Sequence, residues 1–129
     1  MPQKKKILVV DDEPDHCAVV KRILEQSGFD VVVAYDGKEC LEKVKADPPD
    51  AIVLDVVMPE TDGLTVCRTL KADQAYCRIP IMILTAESAT HLTRRFSRDR
   101  ELYANADDYL LKPASAEQIT RGLWALLQR

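Results

Sequence analysis

Residues 51–59 read Ala51-Ile52-Val53-Leu54-Asp55-Val56-Val57-Met58-Pro59, one carboxylate set inside an otherwise apolar run. Continuous hydrophobicity over Ala51–Leu54, rather than strict alternation, describes a strand covered on both faces. A carboxylate at the end of such a strand is expensive to bury without a partner, so Asp55 needs something to compensate it.

Working outward, four more apolar runs alternate with amphipathic segments. Ile7–Val10 precedes a predicted helix over Asp15–Gln26, with Val19, Val20, Ile23 and Leu24 at helical spacing and Ser27-Gly28 as its stop. Asp30–Ala34 forms the next run. Asp36-Gly37 then turns into a helix carrying Cys40, Leu41 and Val44 on one face, ended by Pro48-Pro49. After Ala51–Leu54, Asp62-Gly63 is expected to open a helix with Leu64, Cys67 and Leu70, and Ile79–Leu84 follows as a strand led in by Pro80. A long polar helix is expected from about Ser88 to Tyr103, then a short run at Tyr109-Leu110-Leu111. The last helix spans Ser115–Gln128, with Ser115 and Gln118 as a capping pair.

Five strands alternating with five helices imply an α/β fold, a parallel sheet covered by helices on both faces. Without repeats or a linker, the chain reads as one domain over 1–129 with its core at about 6–128. A net charge of −3 argues against direct nucleic-acid binding, which favours a strongly basic domain. No apolar run approaches the ~20 residues that cross a bilayer, and the one after Met1–Lys6 is too short for a signal peptide. Cys17, Cys40, Cys67 and Cys77 show no paired spacing and are read as reduced packing residues, so no membrane association and a cytoplasmic location are expected. His16 and His91 have no companion at ligand spacing and are expected to be solvated or packed. Arg94, Arg95, Arg98 and Arg100 read as a solvated helix face or a docking surface.

The polar residues fall at the strand ends. The first strand ends in Asp11-Asp12, the third in Asp55, the fourth in Thr85 and the fifth in Lys112; the second ends in Ala34-Tyr35. In a doubly wound sheet ordered 2-1-3-4-5, those four strands are neighbours, the second lies at an edge, and ligands bind at the carboxyl rim. Taken singly, each residue also has a structural role open to it. Asp11-Asp12-Glu13-Pro14 could cap a helix, Thr85 and Tyr109 could be ordinary strand residues, and Lys112 a surface charge.

Three converging carboxylates repel: at an effective dielectric of ~20, one pair 4 Å apart costs about 4 kcal/mol. One Lys offsets part of that. A divalent cation offsets most, and an all-oxygen site favours Mg²⁺, which meets phosphate oxygens readily. Such a site suits phosphoryl transfer, with an Asp as nucleophile forming an acyl phosphate.

At this point the sequence resembles the receiver domain of two-component response regulators. "ILVVDDEPD" at 7–15, "AYDGKECL" at 34–41, "IVLDVVMPETDGL" at 52–64, "IPIMILTA" at 79–86 and "ADDYLLKP" at 106–113 match that family's pattern in order over essentially the whole chain. The resemblance implies a flavodoxin-like single domain with strand order 2-1-3-4-5, and a protein that catalyses only its own phosphorylation and dephosphorylation. It implies that Asp55 is the phosphoacceptor. Asp12, Asp55 and the Val57 backbone carbonyl would ligate Mg²⁺, with Asp11 acting through water. Lys112 would contact the phosphoryl oxygens and pair with Asp55, Thr85 would hydrogen-bond the phosphoryl group, and Tyr109 would switch rotamer with it. The implied partners are a sensor histidine kinase or a histidine phosphotransfer protein, and a second copy meeting the face of the fourth helix, fifth strand and fifth helix.

Three positions depart from the family pattern. The span from Thr85 to Lys112 is longer by more than a helical turn, Asn105 stands for Gly before "ADDY", and Ala114 stands for an aromatic after Lys112-Pro113. Val57, two residues past Asp55, is apolar and cannot hold an attacking water, so a long-lived phosphoryl group is expected. Two rival readings remain at this stage. One is a Mg²⁺-dependent phosphohydrolase with an aspartyl nucleophile, for which the chain has no spare residues to build a cap. The other is a binding module that keeps the fold without the chemistry, against which the intact acids, Thr85 and Lys112 argue.

Overall fold

A computed structural model describes residues 4–55, 60–85, 107–111 and 115–128; at Asp55, 60–64, Thr85, Tyr109 and Leu111 the description covers the backbone alone. Strands β1 (Lys6–Val10), β2 (Asp30–Ala34), β3 (Ala51–Asp55), β4 (Ile81–Thr85) and β5 (Asp108–Leu111) form one sheet in the order β2-β1-β3-β4-β5. Every pairing is parallel. The described helices are α1 (Pro14–Gln26), α2 (Gly37–Ala46), α3 (Glu60–Ala72) and the C-terminal α4 (Ala116–Leu127). The helix expected at about 88–103 lies outside the described residues, as do Asn105, Ala114, His91 and the four arginines at 94–100.

The continuous hydrophobicity of the strands has a direct physical cause. Successive side chains point to opposite faces, and both faces are covered. Leu8, Val10, Ile52, Leu54, Ile81 and Ile83 pack with Cys40 and Val44 of α2 and Val66, Cys67 and Leu70 of α3. Their neighbours Ile7, Val9, Ala51, Val53, Met82 and Leu84 pack on the other side, with α1 through Cys17, Val20 and Leu24 and with α4 through Ile119, Leu123 and Leu126.

Local signals place the helix ends. Asp36 caps α2 by accepting the Glu39 N–H at 2.7 Å. Ser115 and Gln118 form a reciprocal capping box at the start of α4. Helix α1 closes through two hydrogen bonds, Gly28 N–H to the Glu25 carbonyl and Phe29 N–H to the Leu24 carbonyl, both 3.1 Å. That closure requires the left-handed backbone of Gly28, φ +94°. It drops Phe29 into the core and against Trp124, ring centroids 4.9 Å apart. In α4, Gly122 allows the helix to sit on Met82, whose Cε would lie 2.6 Å from a β-carbon built there.

Three expectations need correction. Val19 is not on the buried stripe of α1: it is 56% exposed, and the stripe is Cys17, Val20 and Leu24. The i, i+3, i+7 spacing puts those three on one line, with Val19 a hundred degrees to the side. Helix α3 begins at Glu60, so Asp62 and Gly63 lie inside its first turn rather than opening it; acids in a first turn favour the positive helix end. Strand β4 begins at Ile81, not Ile79. The Ile79 N–H bonds back to the Tyr76 carbonyl and its own carbonyl takes the Lys71 ammonium, so its polar groups belong to the turn before the strand.

Candidate functional site at the carboxyl rim of the sheet

The register brings the polar strand ends to one rim. Val10 pairs with Leu54, so Asp11 and Asp55 follow at the same level on adjacent strands. Asp55 pairs with Leu84, which puts Thr85 one step further along β4, and Thr85 pairs with Leu111, the residue before Lys112. Strand β2, which runs out into Ala34-Tyr35 with no carboxylate or ammonium there, lies at the sheet edge beside β1.

Among the described residues, Asp11 is the buried charged residue of this rim, 1% exposed, and is held at four atoms. Its N–H donates to the Ala34 carbonyl at 3.0 Å, so the tip of β2 anchors the Asp11 backbone. The Asp11 Oδ1 accepts the Glu13 N–H at 3.0 Å, and its carbonyl accepts from Cys17 Sγ at 3.3 Å. The fourth contact joins Asp11 Oδ2 to His16 Nδ1. An ionised carboxylate can only accept, so Nδ1 carries the proton there. Pro14 starts α1 immediately after, with a fixed φ suited to a first helical position, and this brings residue 16 back over Asp11.

The structure places His16 neither loose in solvent nor in the apolar core: it is a partner of the buried acid. Sequence spacing did not flag it, because a side chain five residues from Asp11 becomes a neighbour only once the helix start has turned the chain back. Asp12, by contrast, is exposed, next to its buried neighbour. Of the other expected site residues, the backbones of Asp55, Thr85 and Tyr109 end or line their strands, while Lys112 and Val57 lie outside the described residues. Among the described residues no three His, Cys, Asp or Glu side chains gather into a metal site.

The cysteines are free, with Cys17, Cys40 and Cys67 buried and Cys77 partly so. Burial pushes the Cys40 thiol up to about 12, with Cys67 and then Asp36 adding to it, and the Cys67 thiol up to about 11, against the lowering effect of the Lys71 ammonium and with a smaller rise from Asp107. They are inert core groups rather than metal ligands or nucleophiles. No described helix is long and apolar enough to cross a membrane.

Residues 7–123 match the response regulator receiver domain family. The chain is 42% identical over 125 residues to the alkaline phosphatase synthesis transcriptional regulatory protein PhoP of Bacillus subtilis, covering 97% of this chain and 49% of that protein. It spans about half the length of the curated relatives it matches. Among solved structures, it superposes with a TM-score of 0.84 and 33% identity on the signal receiver domain of a histidine kinase from Syntrophus aciditrophicus, covering 96% of this chain and 90% of that one. It likewise superposes with a TM-score of 0.83 and 29% identity on the receiver domain of sensor histidine kinase PA1611 from Pseudomonas aeruginosa, covering 98% and 100%; that structure has a magnesium ion coordinated in its active site cleft.

Proposed function

This chain belongs to the response regulator receiver domain family, and we propose that it accepts a phosphoryl group on Asp55 from a phosphohistidine and switches conformation in response. The donor is a sensor histidine kinase or a histidine phosphotransfer protein, and the switched surface controls a downstream partner or output domain in the cytoplasm. The unit that does this is the single domain over 1–129, with its core at about 6–128. The observation that carries the reading is the register that levels Asp11 with Asp55 and sets Thr85 one step beyond, beside the strand that leads to Lys112.

The donor set at the rim suits Mg²⁺: a fully buried carboxylate already fixed by the chain, an exposed carboxylate beside it, and a third at the neighbouring strand end, all of them oxygen. Asp12, Asp55 and the Val57 carbonyl would hold the ion directly and Asp11 through water. When bound, it supplies the positive charge that lets an anionic nucleophile meet an anionic phosphoryl group. The chain's own residues do the rest. An Asp55 carboxylate oxygen attacks phosphorus, an O–P bond forms, and the N–P bond of the donor breaks with its electron pair left on the imidazole. Lys112 neutralises charge on the phosphoryl oxygens. The Thr85 hydroxyl donates to one of them, and Tyr109 follows into the space vacated, altering the face formed by the helix expected at about 88–103, β5 and α4. That face is where a second copy would dimerise. The shift is limited by the difference in affinity between the two conformations.

Acetyl phosphate and Mg²⁺ with wild type and Asp55→Asn provide the test. One phosphoryl group per wild-type chain and none on the variant supports the reading. Labelling of the variant, or turnover of small phosphate esters by wild type, would overturn it.

A further inference from the structure

We infer that His16 is a positioning residue for cation binding, an inference that rests on the receiver reading above: its ring holds the Asp11 carboxylate in the orientation that serves a cation-bound water. The Asp11 carboxylate is buried and takes a donor on each oxygen, the N–H of Glu13, the residue before α1, at 3.0 Å on Oδ1 and the ring of His16, in the first turn of α1, on Oδ2. With the Asp11 backbone tied to Ala34 and Cys17 as well, the side chain has little freedom left. A carboxylate offers about four lone-pair directions, and one bond on each oxygen fixes its plane.

His16 is the third residue of α1, and it reaches back across the helix start as the third residue of a capping box does, here to a carboxylate instead of a backbone N–H. An apolar side chain at 16 would fill the same space. It would leave Asp11 Oδ2 without this donor. The acids of the rim repel one another, and a fixed carboxylate spares the cation the work of ordering it. Hydrogen-bond partners that orient a metal site's carboxylates commonly change metal affinity by about 10–100-fold when removed.

Calorimetric titration of Mg²⁺ into the full chain tests this with wild type, His16→Leu, His16→Asn and His16→Gln, each with its unfolding temperature recorded. Asn carries an N–H donor near the place of the histidine Nδ1, whereas Gln carries it near Nε2. We expect His16→Leu to weaken Mg²⁺ binding by about tenfold or more, and His16→Asn to stay within about threefold of wild type. His16→Gln should fall with Leu, and this Asn-against-Gln contrast decides the matter even if the Leu variant does not fold. Unchanged affinity in a folded Leu variant, or equal affinities for Asn and Gln, overturns the inference alone. Wild type that takes up no Mg²⁺ overturns the receiver reading and the inference with it.

Discussion

Lys71 Nζ lies 2.8 Å from Asp107 Oδ2, tying the last turn of α3 to the start of β5 across thirty-six residues of chain. The same ammonium donates to the Cys77 and Ile79 carbonyls, and the same carboxylate oxygen accepts the Ile81 N–H at 2.8 Å. The knot sits at the amino edge of the sheet, opposite the rim that carries the acids. It closes the turn at 73–80 and sets where β4 and β5 begin.

Lys71→Met should therefore cost stability and spare the rim. Removing the ammonium leaves a largely buried carboxylate and two carbonyls with one partner fewer, about 2–3 kcal/mol in urea unfolding. Mg²⁺ affinity of the folded variant should match wild type. An equal loss of Mg²⁺ binding would show that the two edges of the sheet are coupled.

Gly28→Ala isolates a backbone effect. A β-carbon at Gly28 meets no atom within 4 Å, so sterics with neighbours add nothing. What remains is the cost of a left-handed φ for an L-residue, about 1–2 kcal/mol. A change in unfolding free energy below half of that range would mean that α1 can end another way.

The buried thiols give the domain an alkaline limit. Cys40 and Cys67 are held at about 12 and about 11 against an ordinary value of 9.0. Between pH 9 and 11 the unfolded chain loses these protons while the folded chain keeps them. Stability from this source is thus fully present below pH 9 and is lost as pH rises through the folded values. Thermal unfolding from pH 8 to 10.5 should fall more steeply for wild type than for the Cys40→Ala/Cys67→Ala variant, which should be less stable at pH 8. Parallel slopes would count against the thiols as the cause.

Phosphoryl lifetime should follow the residue two past Asp55. Val57 offers no hydrogen bond to an attacking water, so the purified phosphorylated chain should keep its label far longer than seconds. Val57→Asn supplies such a group and should shorten the lifetime several-fold. Chase of radiolabel after removal of the donor measures both.

Strand runs, the Asp36-Gly37 helix start, the Ser115–Gln118 capping box and the Gly28 stop were legible in the sequence because each is a short-range matter. The pleat has a period of two, a cap bonds three residues ahead, and a left-handed turn calls for glycine. The strand order was legible too, through the family resemblance, since alternating strands and helices alone leave more than one order open. The exact start of β4 was less so, because Lys71 and the turn at 73–80 take the backbone groups of Ile79.

The letters alone set an alternating α/β chain with acids at the ends of strands one and three. Only the tertiary structure decided that Val19 faces solvent, that Lys71 finds Asp107, and that His16 bends back to a buried Asp11 while Asp12 stays exposed. Those outcomes depend on which surfaces meet, and contact between side chains distant along the chain, or brought together by a turn, exists only after the core has packed.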